Sequence, residues 1–229
     1  MINKTVQTVE QALAGIQDGA TILIGGFGTA GIPGELIDGL IAQGAQGLTV
    51  VNNNAGNADH GLAALLKTGR VRKIICSFPR QADSYVFDEL YRSGKIELEL
   101  VPQGNLAERL RAAGAGIGGF FTPTGYGTEL AKGKETRLID GRWHVYETPI
   151  HGDVALIKAE AGDRWGNLTY CMAARNFGPI MAMAARHTIA TVYDYKELGE
   201  LDPECVVTPG IFVDTVVKVP RRQTVAGGF

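Results

Sequence analysis

Residues Thr21-Ile22-Leu23-Ile24-Gly25 form a short apolar run, and Gly26-Phe27-Gly28-Thr29-Ala30-Gly31 and then Pro33 follow it closely. An unbroken run of that length suits a strand covered on both faces, the strand type of a mostly parallel sheet flanked by helices. The glycines permit a tight turn and close approach of a ligand to the backbone. Pro33 opens the next helix at a position that needs no N–H. A strand, a glycine loop and a helix start, in that order, make a cradle for an anion. The loop contains a formal G-x-G-x-x-G at Gly26, Gly28 and Gly31. A dinucleotide would need an acidic residue about 20 residues further on, at the end of the second strand, to hold its ribose. Asn52-Asn53-Asn54 stands there instead. The residues alone leave open another anion or a plain strand-to-helix turn.

The alternation of strand and helix continues through the first half. Thr8-Val9-Glu10-Gln11 has the form of a capping box ahead of Val9, Leu13 and Ile16 at helical spacing, with Gly19 past the end. Leu36, Ile37, Leu40 and Ile41 give the helix after Pro33 an apolar stripe. Leu48 to Val51 reads as a strand, Leu62, Leu65 and Leu66 as a helix face, and Val71 to Cys76 as a third strand. Asp83 is placed to cap a helix bearing Val86, Phe87, Leu90 and Tyr91; Ile96 to Val101 alternates like a strand. Asn105 with Glu108 has the capping-box form before Leu106 and Leu110. This βαβ series predicts an α/β fold, an open and mostly parallel sheet with helices on both faces.

The middle of the chain breaks that rhythm. Gly114 to Gly127 is rich in glycine around Phe120-Phe121-Thr122-Pro123, and a segment this loop-rich inside a domain is usually functional or mobile. Asp140-Gly141, between Thr136 to Ile139 and Trp143 to Tyr146, predicts a β-hairpin excursion around 136–147. Asp153 to Lys158 and Thr188 to Val192 read as further strands, and the tail from Arg221 as frayed. No repeat or linker composition divides the chain, so one domain is expected over residues 1–229. The glycine loop, Asn52 to Asn54 and Gln103 each follow a predicted strand. They are therefore expected on one rim, at the carboxyl ends of the strands.

Composition narrows the partners. With 22 Lys and Arg against 24 Asp and Glu the net charge is −2, which supplies no electrostatic reason for nucleic acid or an anionic membrane as partner. No apolar stretch is long enough to span a bilayer, and no apolar run follows a basic start. A cytoplasmic protein is expected. Cys76, Cys171 and Cys205 are odd in number and widely spaced, and read as reduced, partly buried thiols. His60, His144, His151 and His187 show no metal-ligand spacing, so no metal is expected. Trp143 and Trp165 read as core or interface anchors, and Tyr85, Phe87 and Tyr91 as packing residues.

The stretch from Asp18 to Pro33 resembles, position by position, the N-terminal signature of family I coenzyme A transferases. Asp18, Gly19, Ile22, Leu23, Ile24, Gly25, Gly26, Phe27, Gly31 and Pro33 carry the match. Leu48 to Gly56, with its asparagine turn, is similar to a further family block. So are Pro102-Gln103-Gly104-Asn105-Leu106-Ala107-Glu108-Arg109 and Thr122 to Thr128. Gly162 to Leu168 and Ala174-Arg175-Asn176-Phe177 extend the resemblance along nearly the whole chain. The likeness is to the A, or alpha, subunit of the 3-oxoacid transferases. Around Cys76 to Phe87 and Asn176 to Ala185 it is nearer to the enzymes of 3-oxoadipate than to those of acetoacetate.

The resemblance implies a ping-pong transfer of coenzyme A from succinyl-CoA to 3-oxoadipate, as in aromatic degradation by the β-ketoadipate pathway. A glutamate carboxylate attacks the thioester, and a mixed anhydride and a glutamyl-CoA thioester follow. That glutamate belongs to the family's B, or beta, subunit. Its glycine-rich block is absent here, so no catalytic nucleophile is expected in this chain. The implied partner is a B subunit in an AB or A2B2 assembly. CoA thioesters enter as substrates, and no permanently bound cofactor is expected. Gln103 falls on the family's oxyanion-binding glutamine, and Asn53 and Asn54 on its active-site asparagine pair. Gly25, Gly26, Phe27, Gly28, Thr29, Ala30 and Gly31 form the implied CoA contact, and Thr122 to Thr128 a second wall. Arg80 is placed to hold the distal carboxylate of a dicarboxylic substrate, with a solvated surface charge as the equal alternative. The competing functions are a transferase of acetoacetate or another short 3-oxoacid, a non-catalytic binding relative, and a sugar-phosphate isomerase of related fold.

Overall fold

Short apolar strands alternating with one-sided helices have one stable arrangement, a parallel sheet buried between two helical layers. The computed structural model, which describes residues 2–221, has that arrangement. Its strands and helices run β1 (Thr5–Val6), α1 (Val9–Leu13), β2 (Thr21–Ile24), α2 (Gly34–Gln43), β3 (Leu48–Val51), α3 (Leu62–Lys67), β4 (Val71–Cys76), α4 (Tyr85–Arg92), β5 (Glu97–Leu100) and α5 (Gln103–Ala115). They continue β6 (Phe120–Thr122), β7 (Thr136–Ile139), β8 (Arg142–Glu147), β9 (Gly152–Asp163), β10 (Leu168–Thr169), α6 (Gly178–Ala184), β11 (Ala185–Lys196) and β12 (Thr215–Lys218).

The main sheet has the order β1-β12-β11-β9-β2-β3-β4-β5, with every neighbouring pair parallel; β10 folds back antiparallel onto β9. From β2 the chain builds outward through β3, β4 and β5, then returns to lay β9 on the other side of β2. The strand order thus reverses between β2 and β9, and the glycine loop leaves β2 at that switch point. Crevices at such points, outside the carboxyl ends, are where open α/β sheets bind ligands. Helices α1 to α4 bury Leu13, Leu36, Ile37, Leu40, Leu66 and Phe87 against one face. Helices α5 and α6 bury Leu106, Leu110, Met181 and Ala182 against the other. The expected fold is therefore the observed one.

The hairpin is also where its turn residues put it. Asp140 (φ 48°) and Gly141 (φ 75°) form the turn between β7 and β8, and β6 completes a small antiparallel sheet of order β6-β8-β7. A buried polar network ties this sheet to α5. Asn105 Nδ2 donates to the Thr124 carbonyl (3.2 Å) and to Glu147 Oε1 (3.1 Å), and Glu147 pairs with Lys134 at 2.7 Å. Arg109 reaches both the Thr148 carbonyl (2.7 Å) and Glu99 (2.9 Å). Partial burial pushes the Glu99 carboxyl up, but bonds from Lys73 and Arg109 outweigh it and hold the group below its ordinary value.

Several local expectations are corrected. Helix α5 starts at Gln103, with Pro102 outside it, so Asn105 lies inside the first turn as a cross-link and not as a cap. Ser84 is the residue before α4; the Asp83 N–H instead meets Asn57 Oδ1 at 2.9 Å. Pro33 sits one residue before α2. Thr8 does cap α1, accepting from Gln11 N, but Gln11 returns its bond to Gln7 N, one residue earlier than a capping box requires. Strands β9 and β11 outrun their apolar segments because their ladder continues through Asp194 to Lys196. β12, a β-branched run not among the predicted strands, lies buried beside β11. Trp143 and Trp165 are half exposed, and Trp143 stacks on Tyr126. Phe87 is buried, whereas Tyr85 and Tyr91 are exposed. The tail beyond Arg221 lies outside the described residues.

Cys76 is buried and Cys171 and Cys205 are exposed, so only one of the thiols is in the core. Burial pushes the Cys76 thiol from 9.0 up to about 12. A thiol reagent at pH 8 is expected to modify Cys171 and Cys205 in the native protein and Cys76 only after denaturation. Equal rates at all positions would contradict this packing. Above pH 9 the unfolded thiol ionises while the folded one stays protonated, so its contribution to stability falls as pH rises toward about 12. Cys76→Ala is expected to flatten that part of the alkaline decline in urea midpoint.

Candidate active site at the carboxyl rim

At the carboxyl ends of β2, β3 and β4, pairing continues past the strands through side chains. Asn52, fully buried, donates from Nδ2 to the Ile24 carbonyl (2.7 Å), joining the end of β3 to the start of the glycine loop. Its Oδ1 accepts from Asn54 N at 2.9 Å, and Asn54 Oδ1 in turn accepts from Gly56 N at 2.8 Å. The Asn53 carbonyl accepts from Ser77 N (3.2 Å) and Phe78 N (3.0 Å), which extends the β3–β4 pairing into the loops. Asparagines suit this run because their carboxamides bond the backbone locally where no strand partner remains.

Asn53 links this zip to α5. Its Oδ1 accepts from Gln103 Nε2 at 2.8 Å and from Ser77 Oγ at 2.7 Å. With its oxygen so occupied, Asn53 has only its NH2 group left to offer a ligand. Gln103, at the first turn of α5, is exposed and keeps its second amide hydrogen. Asn54 is buried, and its Nδ2 has no hydrogen-bond partner among the described residues. An orphaned buried donor costs about 1–3 kcal/mol, and an acceptor brought to it would recover that. Asn53 and Gln103 are thus neutral donors bonded together at one rim, a set suited to an oxygen carrying negative charge, while the Asn54 amide lies enclosed one residue on. Ser77, which no sequence pattern marks, completes the set. A hydroxyl at the end of an apolar strand carries no signal until its neighbour across the ladder is known.

The glycine loop borders this set through Asn52. It closes as a tight turn in which Phe27 N donates to the Ala30 carbonyl (2.9 Å) and Ala30 N to the Phe27 carbonyl (3.0 Å). Gly25, Gly26 and Gly31 are buried in its base. Gly31 (φ 72°) tolerates no side chain, since a Cβ there would lie 2.7 Å from the Ala174 carbonyl oxygen. Asn176 Nδ2 holds the Ala30 carbonyl at 3.1 Å, so the Ala174-to-Phe177 block forms the backing of the loop. Phe27 and Thr29 are exposed and Gly28 and Ala30 half-buried; these four are the part a ligand can reach. On the other side, the Thr122-to-Thr128 loop is fastened to α5 by Asn105 and lies beside Pro102.

The remaining candidates sit elsewhere or are paired. Arg80 Nε bonds Asp88 Oδ1 at 2.6 Å, so its charge is already matched, and more than half of its side chain is in solvent. No cluster of His, Cys, Asp and Glu able to hold a metal occurs among the described residues. No described helix is long and apolar enough to cross a membrane. A cavity of about 680 Å³ opens at the opposite, amino end of the sheet, lined by Ile16, Ala20, Asp153 and His187. It is remote from the donor set, and the chemistry of the rim, not the size of that cavity, marks the site.

Known proteins resemble the chain along nearly its whole length. The coenzyme A transferase family model matches residues 6–219. The chain is 71% identical over 219 residues to the A subunit of the 3-oxoadipate CoA-transferase of Pseudomonas putida, covering 96% of this chain and 95% of that protein. It is 48% identical over 216 residues to the A subunit of a probable succinyl-CoA:3-ketoacid coenzyme A transferase of Bacillus subtilis, covering 94% and 90%. An acyl-CoA transferase of Escherichia coli O157:H7, solved as a thioester complex with CoA, superposes with a TM-score of 0.83 at 23% identity. That alignment covers 99% of this chain and 49% of the other, so the chain spans about half of that protein, and the likeness concerns the fold.

Asn52 and Asn53 are expected to separate in their effects. Asn52→Ala leaves the Ile24 carbonyl and the Asn54 N–H unpaired in a buried site. It is expected to cost about 2–6 kcal/mol in urea unfolding, at about 1–3 kcal/mol for each stranded group. Asn53→Ala, whose backbone bonds stay intact, is expected to cost less than half as much. Equal losses would mean that the Asn53 side chain is also a structural strut.

Proposed function

The chain belongs to the coenzyme A transferase family, and on that premise we propose that it supplies the donor half of a two-chain active site moving coenzyme A from succinyl-CoA to 3-oxoadipate. The observation that carries this reading is the Asn53–Gln103–Ser77 set, which gathers neutral donors and includes no carboxylate. The identity to the A subunit of a 3-oxoadipate enzyme supports the choice of acid, and the lower identity to a 3-ketoacid relative ranks acetoacetate second. The products are 3-oxoadipyl-CoA and succinate, a step of the β-ketoadipate pathway of aromatic degradation.

The nucleophile is a glutamate of the partner B subunit. Its carboxylate attacks the succinyl thioester carbonyl, CoA leaves as thiolate, and a succinyl–glutamyl anhydride forms. The thiolate then attacks the glutamyl carbonyl, releasing succinate and leaving a glutamyl-CoA thioester; 3-oxoadipate reverses these steps. Each attack develops charge on a carbonyl oxygen, and Gln103 donates to that oxygen. Asn53 and Asn54 orient the incoming carboxylate through their NH2 groups. The reachable part of the loop over Gly25 to Gly31, Phe27 to Ala30, contacts CoA, and the Thr122-to-Thr128 loop closes the other wall. The whole chain acts as one domain within an AB or A2B2 assembly in the cytoplasm, with CoA thioesters as substrates and no resident cofactor.

Of the two roles open to Arg80, the surface-charge role is the one proposed, since the residue lies paired with Asp88 and mostly in solvent. Arg80→Ala is expected to change the 3-oxoadipate to acetoacetate rate ratio by less than about twofold.

The purified chain alone is expected to transfer no CoA between acids, and to do so when mixed with its B subunit, faster with 3-oxoadipate than with acetoacetate. Gln103→Ala in the mixture is expected to lower kcat by about 10²–10³. Transfer by the isolated chain would overturn the split-site reading.

A further inference from the structure

Ser77 is the one member of the rim set that neither the sequence patterns nor the proposed mechanism uses. It lies at the end of β4, directly after buried Cys76, and is half-buried itself. Its backbone N–H, with that of Phe78, holds the Asn53 carbonyl. Its hydroxyl lies 2.7 Å from Asn53 Oδ1 and 3.1 Å from the Asn53 carbonyl oxygen, and the shorter contact is to the side chain. Gln103 Nε2 reaches the same Oδ1 at 2.8 Å.

We propose that Ser77 is a positioning residue that fixes the rotamer of Asn53 and, through the shared Oδ1, the amide of Gln103. This rests on the transferase reading above. A carboxamide can rotate by half a turn and exchange its oxygen for its NH2 at little steric cost. Asn53 bonded to Gln103 alone has one constraint on that rotation; bonded to Ser77 as well, its oxygen is held from two sides. Its NH2 group then points away from both donors. The hydroxyl is well chosen for this, because it can donate at any angle its single torsion allows. Its backbone is itself pinned to the residue it orients. Removing it leaves the backbone zip between Asn53 and residues Ser77 and Phe78 untouched, so the fold has no need of the hydroxyl. A loosened Asn53 no longer offers donors in one geometry, and misplacement on this scale costs up to about 100-fold in rate.

The test uses the assembled AB enzyme with succinyl-CoA and 3-oxoadipate. Ser77→Ala is expected to lower kcat by about 10- to 100-fold with KM for succinyl-CoA changed less than about threefold. Ser77→Thr, which keeps the hydroxyl, is expected to regain most of the loss. The urea midpoint and the mass of the assembly are expected to stay as in the parent. In an Asn53→Ala background Ser77→Ala is expected to have no further effect, since the residue it orients is gone. An unchanged kcat in Ser77→Ala, or the same loss with and without the Asn53 side chain, would overturn the proposal. An inactive parent assembly would instead overturn the transferase reading on which it rests.

Discussion

The rim depends on asparagine side chains that continue strand pairing where the strands stop. β2, β3 and β4 end in register, and beyond them the backbone must diverge into loops. Asn52 spans β3 to β2 through the Ile24 carbonyl, and the Asn53 carbonyl spans β3 to β4 through Ser77 and Phe78. These bonds hold the glycine loop, the asparagine turn and the Ser77 turn side by side. The first residue of α5 then joins them through Gln103. Without the zip, the separate loops would each be free to move, and a preorganised set of donors could not form.

The reversal of strand order between β2 and β9 explains why the zip sits where it does. A loop that leaves the sheet at a reversal has open space on one side, because neighbouring connections run to opposite faces. The glycine loop fills part of that space with a turn that admits no side chain at Gly31, and the Ala174-to-Phe177 block braces it from behind. The result is a rigid edge facing outward, with Phe27 and Thr29 exposed. On the proposed function it is one wall of a site whose nucleophile another chain supplies, and the donor set without a carboxylate fits that division.

Much of this is legible in the residues. The βαβ alternation, the hairpin turn at Asp140-Gly141 and the three rim blocks all follow from local rules of turn chemistry and apolar periodicity, which need only neighbours in sequence. What escapes such rules is long-range. Asn105 has a cap's identity and a cap's spacing, yet Pro102 starts the helix earlier and Glu147, far along the chain, claims its amide. Ser77 gains meaning only from Asn53 across the ladder, and the pairing of Arg80 with Asp88 on the next helix is equally invisible in the local sequence. The outer halves of β9 and β11 stay hidden because their polar residues break the apolar run while the ladder continues, whereas β12, Thr215-Val216-Val217-Lys218, carries the β-branched pattern of a strand. The family resemblance supplies the roles of Gln103, Asn53 and Asn54; spacing alone allows a plain turn.

If this chain provides the donors and its partner the nucleophile, the covalent intermediate must form on the partner. Incubating the AB assembly with succinyl-CoA and no acceptor acid, then weighing each chain by intact mass spectrometry, tests this division directly. A CoA adduct, discharged by hydroxylamine, is expected on the B chain and none on this one. An adduct on this chain, for instance on Glu35 in the first turn of α2 beside the glycine loop, would contradict it.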